Sequence, residues 1–469
     1  MNKKFTSDIV IGIECHVELS TDTKLFCGCA THGTDEPNTR CCEVCLGHPG
    51  SKPVLNKKAV EYALRLCMAL GCKISPELVF SRKSYFYPDM AKNYQISQYE
   101  IPLGEKGSLT LDSGKKVGIT RVHMEEDPAA LIHPSGMAES AYVLVDYNRS
   151  GDPLCEVVTE PELTSPDEAR DFMKQLITVL TYLDIFDVNR CIIKADANIS
   201  IKESGYTRVE IKNITGFKEI ERALKYEVER QKQEVKSIVQ ETRAWNSDKG
   251  MTIAMRKKEV EEEYGYIIDP DLVVTEITKE MLKEVEESMP ELAQEKVKKF
   301  VSKHKISEID AKVIAAEKDL AELFEKVAEK VDPVLAARWL RRELTRVMHY
   351  TKKEFKDLEI DETHLIELLQ LVEKKEITDA VAKKILEEMI QKPFFPKEYV
   401  KKKGIKKIGG EGELKKICED VVKKNPQAVE DFKAGNKKSL QFLIGQVMRE
   451  TKGQADPAVV NKIFSKLLK

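Results

Sequence analysis

From Glu291 to Lys403 the chain runs 113 residues without a glycine, although it holds 23 in all, 16 before this stretch and seven after it. Glycine supplies the left-handed turns of tight hairpins, so a long segment that lacks it and is rich in Glu, Lys, Leu and Ala reads as consecutive helices. Apolar residues at spacings of three and four predict helices over Asp310–Lys330, Pro333–Tyr350 and Glu362–Glu373. Lys392-Pro393-Phe394-Phe395-Pro396 breaks that pattern, Gly404 to Gly412 reads as a flexible linker, and a last helical unit is expected from Leu414 onward.

The residues before Glu291 differ in texture. Alternating or β-branched runs at Asp8–Ile13, Val117–Met124, Ala141–Tyr147, Cys191–Ile201 and Tyr206–Ile211 predict strands, and helices are expected at Lys57–Leu70, Pro166–Leu183 (capped by Ser165) and Phe217–Glu241. Strands group without a regular strand-helix repeat, which favours an α+β fold over a doubly wound one. The expected organisation is a mainly antiparallel-sheet cradle over 1–290, a helical domain over 291–403 and a basic helical tail over 404–469.

Charge follows the same division. The net charge of −3 combines 37 basic and 48 acidic residues up to residue 290 with 39 basic and 31 acidic beyond it, and the last 69 residues alone carry 17 basic against 8 acidic. A basic end on an acidic body suits a polyanion such as nucleic acid, or it is a solvated lysine-rich face. With 42% apolar and 33% charged residues the chain is not a disordered tail. It has no apolar run near the roughly 18 residues of a membrane span, and MNKKFTSD carries no apolar leader. A soluble, cytoplasmic protein with no membrane partner is expected.

Eleven cysteines without an export signal argue for thiols used as ligands or small core residues rather than disulfides. Six fall between Cys15 and Cys45. Cys27-Gly28-Cys29 and Cys42-Glu43-Val44-Cys45 form two close pairs joined by a loop, the spacing of a four-thiolate zinc site of structural type, with Cys41 as a possible substitute ligand.

Carboxylates cluster twice. On the first predicted strand Glu14, His16 and Glu18 share one face, and Arg121-Val122-His123-Met124-Glu125-Glu126-Asp127 ends another strand in three acids. If the two meet in space they can hold Mg²⁺ beside substrate phosphates. Arg82 and Lys83 precede Tyr85, Phe86 and Tyr87, a combination able to bind phosphate and stack a base, or else an aromatic core with a basic rim. Lys194, Asp196, Asn198 and Ser200 share a strand face, and Glu210 and Lys212 repeat the pattern on the next strand. No Walker A or Rossmann glycine fingerprint is present, so a nucleotide site would be of another kind.

The segments IGIECHVELSTDTK, CEVCLGHPGSKPVLNKKAV, SRKSYFYPDMAKNYQISQYEIPLG, GITRVHMEEDPAA, VDYNRSGDPLCEVVTEPEL, KADANISI, VEIKNITGFKEIERALKYEVERQ and QETRAW, with the tail QFLIGQVMRETKGQADPAVVNKI, resemble in order the signature segments of the GatB family, the B subunits of tRNA-dependent amidotransferases. The resemblance implies a carbon–nitrogen ligase with glutamine as amido-N-donor. It would use ATP to phosphorylate the side-chain carboxylate of Glu-tRNA(Gln) or Asp-tRNA(Asn) and amidate it with ammonia made by the glutaminase (A) subunit, with the small (C) subunit completing a heterotrimer. It further implies Glu14, His16, Glu125 and Glu126 as magnesium ligands with Asp127 behind them, and Arg82 and Lys83 on the phosphoryl group. Lys83, Glu125 and Asp196 would take part in catalysis, Asn198, Glu210 and Lys212 would contact substrate or channel, and Cys27, Cys29, Cys42 and Cys45 would bind structural zinc. The chain departs from the family pattern at Pro128-Ala129-Ala130 after the acids, at Gly265 within Glu263–Asp271, and at Ser84. The alternative reading is a zinc-stabilised tRNA-binding module without catalysis.

Overall fold

The computed structural model describes residues 5, 7–136, 140–256, 264–408, 411–434 and 436–468; Glu263 and the linker residues Gly409 and Gly410 lie outside them. The chain divides into two compact units, Met1–Leu292 and Ala293–Lys469.

The first unit is built on a nine-stranded sheet in the spatial order 251–256, 241–246, 209–215, 193–201, 9–18, 153–159, 116–126, 104–110, 73–74. Every neighbouring pair is antiparallel except Val209–Thr215 with Glu241–Asn246, which a helical crossover, Phe217–Gln233, joins in parallel. The fold is the expected α+β one. Odd-numbered residues of the central strands (Cys15, Val17, Ala195, Ala197, Ile199) and Cys155 and Val157 are buried, and the Cys15 thiol donates to Met173 Sδ of the helix Pro166–Tyr182 at 3.3 Å. Helices Lys57–Ala69, Pro166–Tyr182 and Phe217–Gln233 supply the rest of this core, including Leu64, Leu66, Phe172, Leu176 and Leu224. Each such side chain contributes roughly 1.5–3 kcal/mol by burial. The sheet's other face carries the polar residues, even-numbered on these central strands and odd-numbered (Arg121, His123, Glu125) on the strand 116–126, as a sheet covered on one side allows.

Local signals explain the helix starts. The Ser165 hydroxyl accepts from the Glu168 N–H at 3.1 Å, Pro166 occupies the first turn, and Asp167 and Glu168 favour the helix dipole. Two expectations change. The helix beginning at Phe217 stops at Gln233 rather than Glu241, because Glu241 belongs to a strand and joins Arg230 and Arg243 in a network around the fully buried Glu227. Of Ala141–Tyr147 only Leu144–Asp146 is extended, in a two-stranded ribbon with Ala130–Ile132, and Tyr142, Val143 and Leu144 face outward.

In the second unit the predicted helix Asp310–Lys330 is two, Glu308–Ala315 and Lys318–Ala328. Ala, Glu and Lys at the break are all good helix formers, so packing rather than local sequence interrupts it. Pro333–Thr351 is continuous helix with a π-helical stretch at Trp339–Leu344, and Glu362–Glu373 is found as expected. Residues 404–408 are held rather than loose: Gly404 caps a helix at φ +64°, the Ile405 N–H donates to Val400 O, and the Ile408 N–H donates to Gln454 O. The last four helices enclose Leu414, Cys418, Val421, Leu443, Val447, Val460 and Phe464.

Candidate functional site

Strand register builds the site on the open face of the sheet. His16 stands opposite Glu156 on one neighbour, and Glu156 stands opposite His123 on the next. Since alternate residues share a face, Glu125 projects beside His123. His16 Nε2 lies 3.6 Å from both a Glu125 and a Glu156 oxygen, and His123 Nε2 lies 3.3 Å from Glu156. One ligand atom each from His16, Glu125 and Glu156 falls within 4.8 Å of the others. Two hard carboxylates with one imidazole suit a divalent cation such as Mg²⁺ or Mn²⁺ that keeps open positions for phosphate oxygens. The unpartnered buried atoms His123 Nδ1 and Asn198 Oδ1 belong to the same polar face.

The electrostatics are those of mutually constrained charges. Burial alone would lower the His16 imidazole, but Glu156, Glu125 and Asp196 outweigh it and lift it to about 10. Burial and the Glu156 charge raise Glu125, with His16, His123 and Lys83 opposing. Glu156 is itself held well below the usual carboxylate range, since His123 and His16 overcome the cost of its burial. Glu14 is raised by burial and by Glu156 and Asp196, and its carboxylate accepts from Asn198 Nδ2 at 3.1 Å. Burial and Asp127 push Glu18 up to about 7.

Glu126 does not join this group. As Glu125's neighbour on a strand it points through the sheet, where its carboxylate takes Lys92 Nζ at 2.6 Å and the Ile96 N–H at 2.8 Å. The same parity separates the two cations. Lys83 faces the site, its Nζ 4.7 Å from the Tyr264 ring, whereas Arg82 is held by Asp269 and Asp271 at 2.8 and 2.9 Å and lies over Tyr94. Asp127 pairs with Arg149 at 3.2 Å. Glu156 and His123 escaped the sequence reading as site residues. The signal was present, a carboxylate inside the apolar strand Leu154–Val158, but only the register reveals its partners.

Two cavities meet here. One of about 740 Å³ is lined by His16, Glu125, Glu156, Lys83 and Lys194 and walled by Tyr85, Phe86 and Tyr87. A smaller one of about 270 Å³ runs past Glu14, Arg121, Glu210 and Thr242. Lys83, Glu125, Glu156 and Lys212 line both. Lys212 pairs with Asp196 at 2.7 Å and Glu210 at 3.5 Å, and these charges raise its ammonium above the normal range despite burial. Of the departures from the family pattern, Ser84 and Gly265 are neighbours: a Cβ on Gly265 would lie 3.7 Å from the Ser84 hydroxyl, and Gly265 sits at φ +50°.

The second cluster is local. The four sulfurs of Cys27, Cys29, Cys42 and Cys45 lie within 4.8 Å of one another, as a tetrahedral thiolate shell requires. Cys41 is outside it, its thiol donating to Asn38 O at 3.2 Å. Cys45 is lowered to about 5 by a hydrogen bond from the Cys27 thiol, against the effect of burial and aided by the Cys42 N–H and Lys24. The fully buried Lys24 places its ammonium 3.8 Å from Cys45 Sγ and donates to Tyr147 O. The donor set fits zinc.

Residues 9–283, which hold this mainly antiparallel sheet with its acid–imidazole cluster and the four-cysteine loop, match the GatB/GatE catalytic domain. Residues 322–468 match the GatB domain. Full-length relatives include the proteins named as the B subunit of aspartyl/glutamyl-tRNA(Asn/Gln) amidotransferase from Caldanaerobacter subterraneus, 43% identical over 97% of this chain and 98% of the relative, and from Carboxydothermus hydrogenoformans, 41% identical over 97% and 98%. The protein of that name from Clostridium botulinum is 40% identical over 98% of both chains. The chain belongs to the GatB family.

Proposed function

We propose that this chain is the activating and amidating component of a tRNA-dependent amidotransferase, acting on Glu-tRNA(Gln), Asp-tRNA(Asn) or both. A carboxylate resists attack by ammonia until one oxygen becomes a leaving group, and transfer of the γ-phosphoryl group of ATP supplies it as an acyl phosphate. The observation that carries this reading is the convergence of His16, Glu125 and Glu156 from three strands beside Lys83, where the two cavities meet. A divalent cation held by those three would neutralise phosphate charge. Lys83 stands ready to offset charge on the transferring group. Asp196, Lys212 and Glu210, with Asn198 holding Glu14 beside them, would line the polar path along which ammonia, released from glutamine by a separate glutaminase chain, reaches the activated carbonyl. Zinc on the four cysteines would hold the 27–45 loop without entering the reaction. The basic tail over 404–469 would contact the tRNA backbone, positioning rather than selecting it.

The test combines the purified chain with its glutaminase and small partner chains, glutamine, Mg²⁺, ATP and labelled Glu-tRNA(Gln), then Asp-tRNA(Asn). ATP-dependent labelled Gln or Asn, lost in Glu125→Ala, supports the proposal. Binding of tRNA with neither amide formation nor ATP turnover overturns it in favour of a binding module.

A further inference from the structure

Away from this site two cysteines are brought together by a helix end. The helix Lys57–Ala69 closes through Gly71 at φ +64°, and the Cys72 N–H returns to Cys67 O at 2.9 Å, the six-to-one bond of a Schellman cap. That motif sets the residues three before and two after the cap side by side, a place usually filled by an apolar contact, and here both are cysteines. The strand Gly104–Thr110 covers them. A Cβ on Gly104 would sit 2.7 Å from Cys67 Sγ, 3.3 Å from Cys67 Cβ and 3.0 Å from Cys72 Cβ, and one on Gly107 would sit 2.5 Å from Cys72 Sγ. Two strand positions without side chains therefore house the thiol pair.

The two thiols are unequal. Cys67 is fully buried, whereas Cys72 beside it is partly exposed. The neighbouring Cys67 thiol holds the Cys72 thiol below its ordinary value, against burial, with the Gly107 N–H assisting. All eleven cysteines are free thiols in this structure.

We infer that Cys72 and Cys67 form a two-thiol oxidation site, Cys72 reacting with peroxide-class oxidants and Cys67 resolving the product to a disulfide. The Cys72 thiolate attacks one peroxide oxygen and breaks the O–O bond, giving a sulfenic acid and hydroxide. The Cys67 sulfur, giving up its proton, then attacks the Cys72 sulfur, forms the S–S bond and expels a second hydroxide. Two thiols lose two electrons and two protons, and one hydrogen peroxide becomes two waters. A dithiol reductant reverses the change. The assignment is independent of the proposed amidotransferase reaction.

The test treats the full-length, zinc-loaded protein with graded hydrogen peroxide, alkylates the remaining thiols and maps peptides by mass spectrometry without reduction. The expected product is a Cys67–Cys72 link two hydrogens lighter than the dithiol, removed by dithiothreitol. In the untreated protein Cys72 should react with a maleimide about ten-fold faster than the comparably buried Cys191, whose thiol is raised by burial. In Cys67→Ala, Cys72 should instead be trapped as a sulfenic acid by dimedone. Should that variant fail to fold, Cys72→Ser serves: Cys67 must then stay reduced at the same peroxide dose. Maleimide labelling of Cys72 no faster than Cys191, or oxidation of Cys72 with Cys67 left alkylatable in the wild-type chain, overturns the assignment.

Discussion

The molecule's two candidate metal-binding groups were assembled by opposite routes. The four cysteines lie within 19 residues of one another and need only a loop that turns back. His16, Glu125 and Glu156 span 141 positions and meet because three strands adopt one register. The first group announces its membership in its spacing, whereas the second can be enumerated only after strand parity and neighbours are fixed. A one-residue slip would exchange every member for a core residue.

That contrast predicts which substitutions injure chemistry and which injure folding. The largest effect should be Glu125→Gln, which we expect to cut amide formation by about a thousandfold with little change in melting temperature, measured by labelled product and by calorimetry. Its neighbour should do the reverse. Glu126→Gln leaves the buried Lys92 ammonium without its partner carboxylate and should destabilise by roughly 3–5 kcal/mol in denaturant titration while the folded fraction keeps divalent-ion affinity. Equal losses of metal affinity in the two variants would break the parity argument.

Lys83→Ala and Arg82→Ala sharpen the same point. Loss of Lys83 should lower turnover by about a hundredfold with KM for ATP changed far less, as removal of a transition-state donor does. Loss of Arg82 should chiefly loosen the segment held through Asp269 and Asp271, seen as faster proteolysis there. Chelation of zinc should open residues 27–45 to protease while helical circular dichroism persists; collapse of the whole first unit would mean the loop is integral to the core. The smallest effect is Ser165→Ala, expected to cost about 1 kcal/mol through loss of one helix cap.

Much of the architecture was legible because it is encoded locally. The cap at Ser165 and the alternation through Glu14–Glu18 act over a few residues, and the glycine-free stretch favours helix turn by turn along its length. What escaped had a non-local cause. The helix after Phe217 is shorter than its local sequence predicts because its end is dictated by an ion network between the helix and the strand Glu241–Asn246. Glu126 seemed equivalent to Glu125, although period-two geometry already separates adjacent strand residues; three consecutive acids simply invite a collective reading. Glu156 and His123 could have been suspected as polar residues within apolar strands, yet their partnership is a property of the register. Arg82 and Lys83 divided in the same manner.

Covering the sheet on one face alone has a consequence for how this protein can change. The strand residues that face the helices are committed to holding them, so they tolerate little; those on the open face touch no apolar layer and can be exchanged with the scaffold intact. Substrate preference can therefore drift, and libraries confined to positions such as Glu14, Asn198, Glu210 and Lys212 should yield mostly well-folded proteins of altered chemistry, on a frame that does not register the difference.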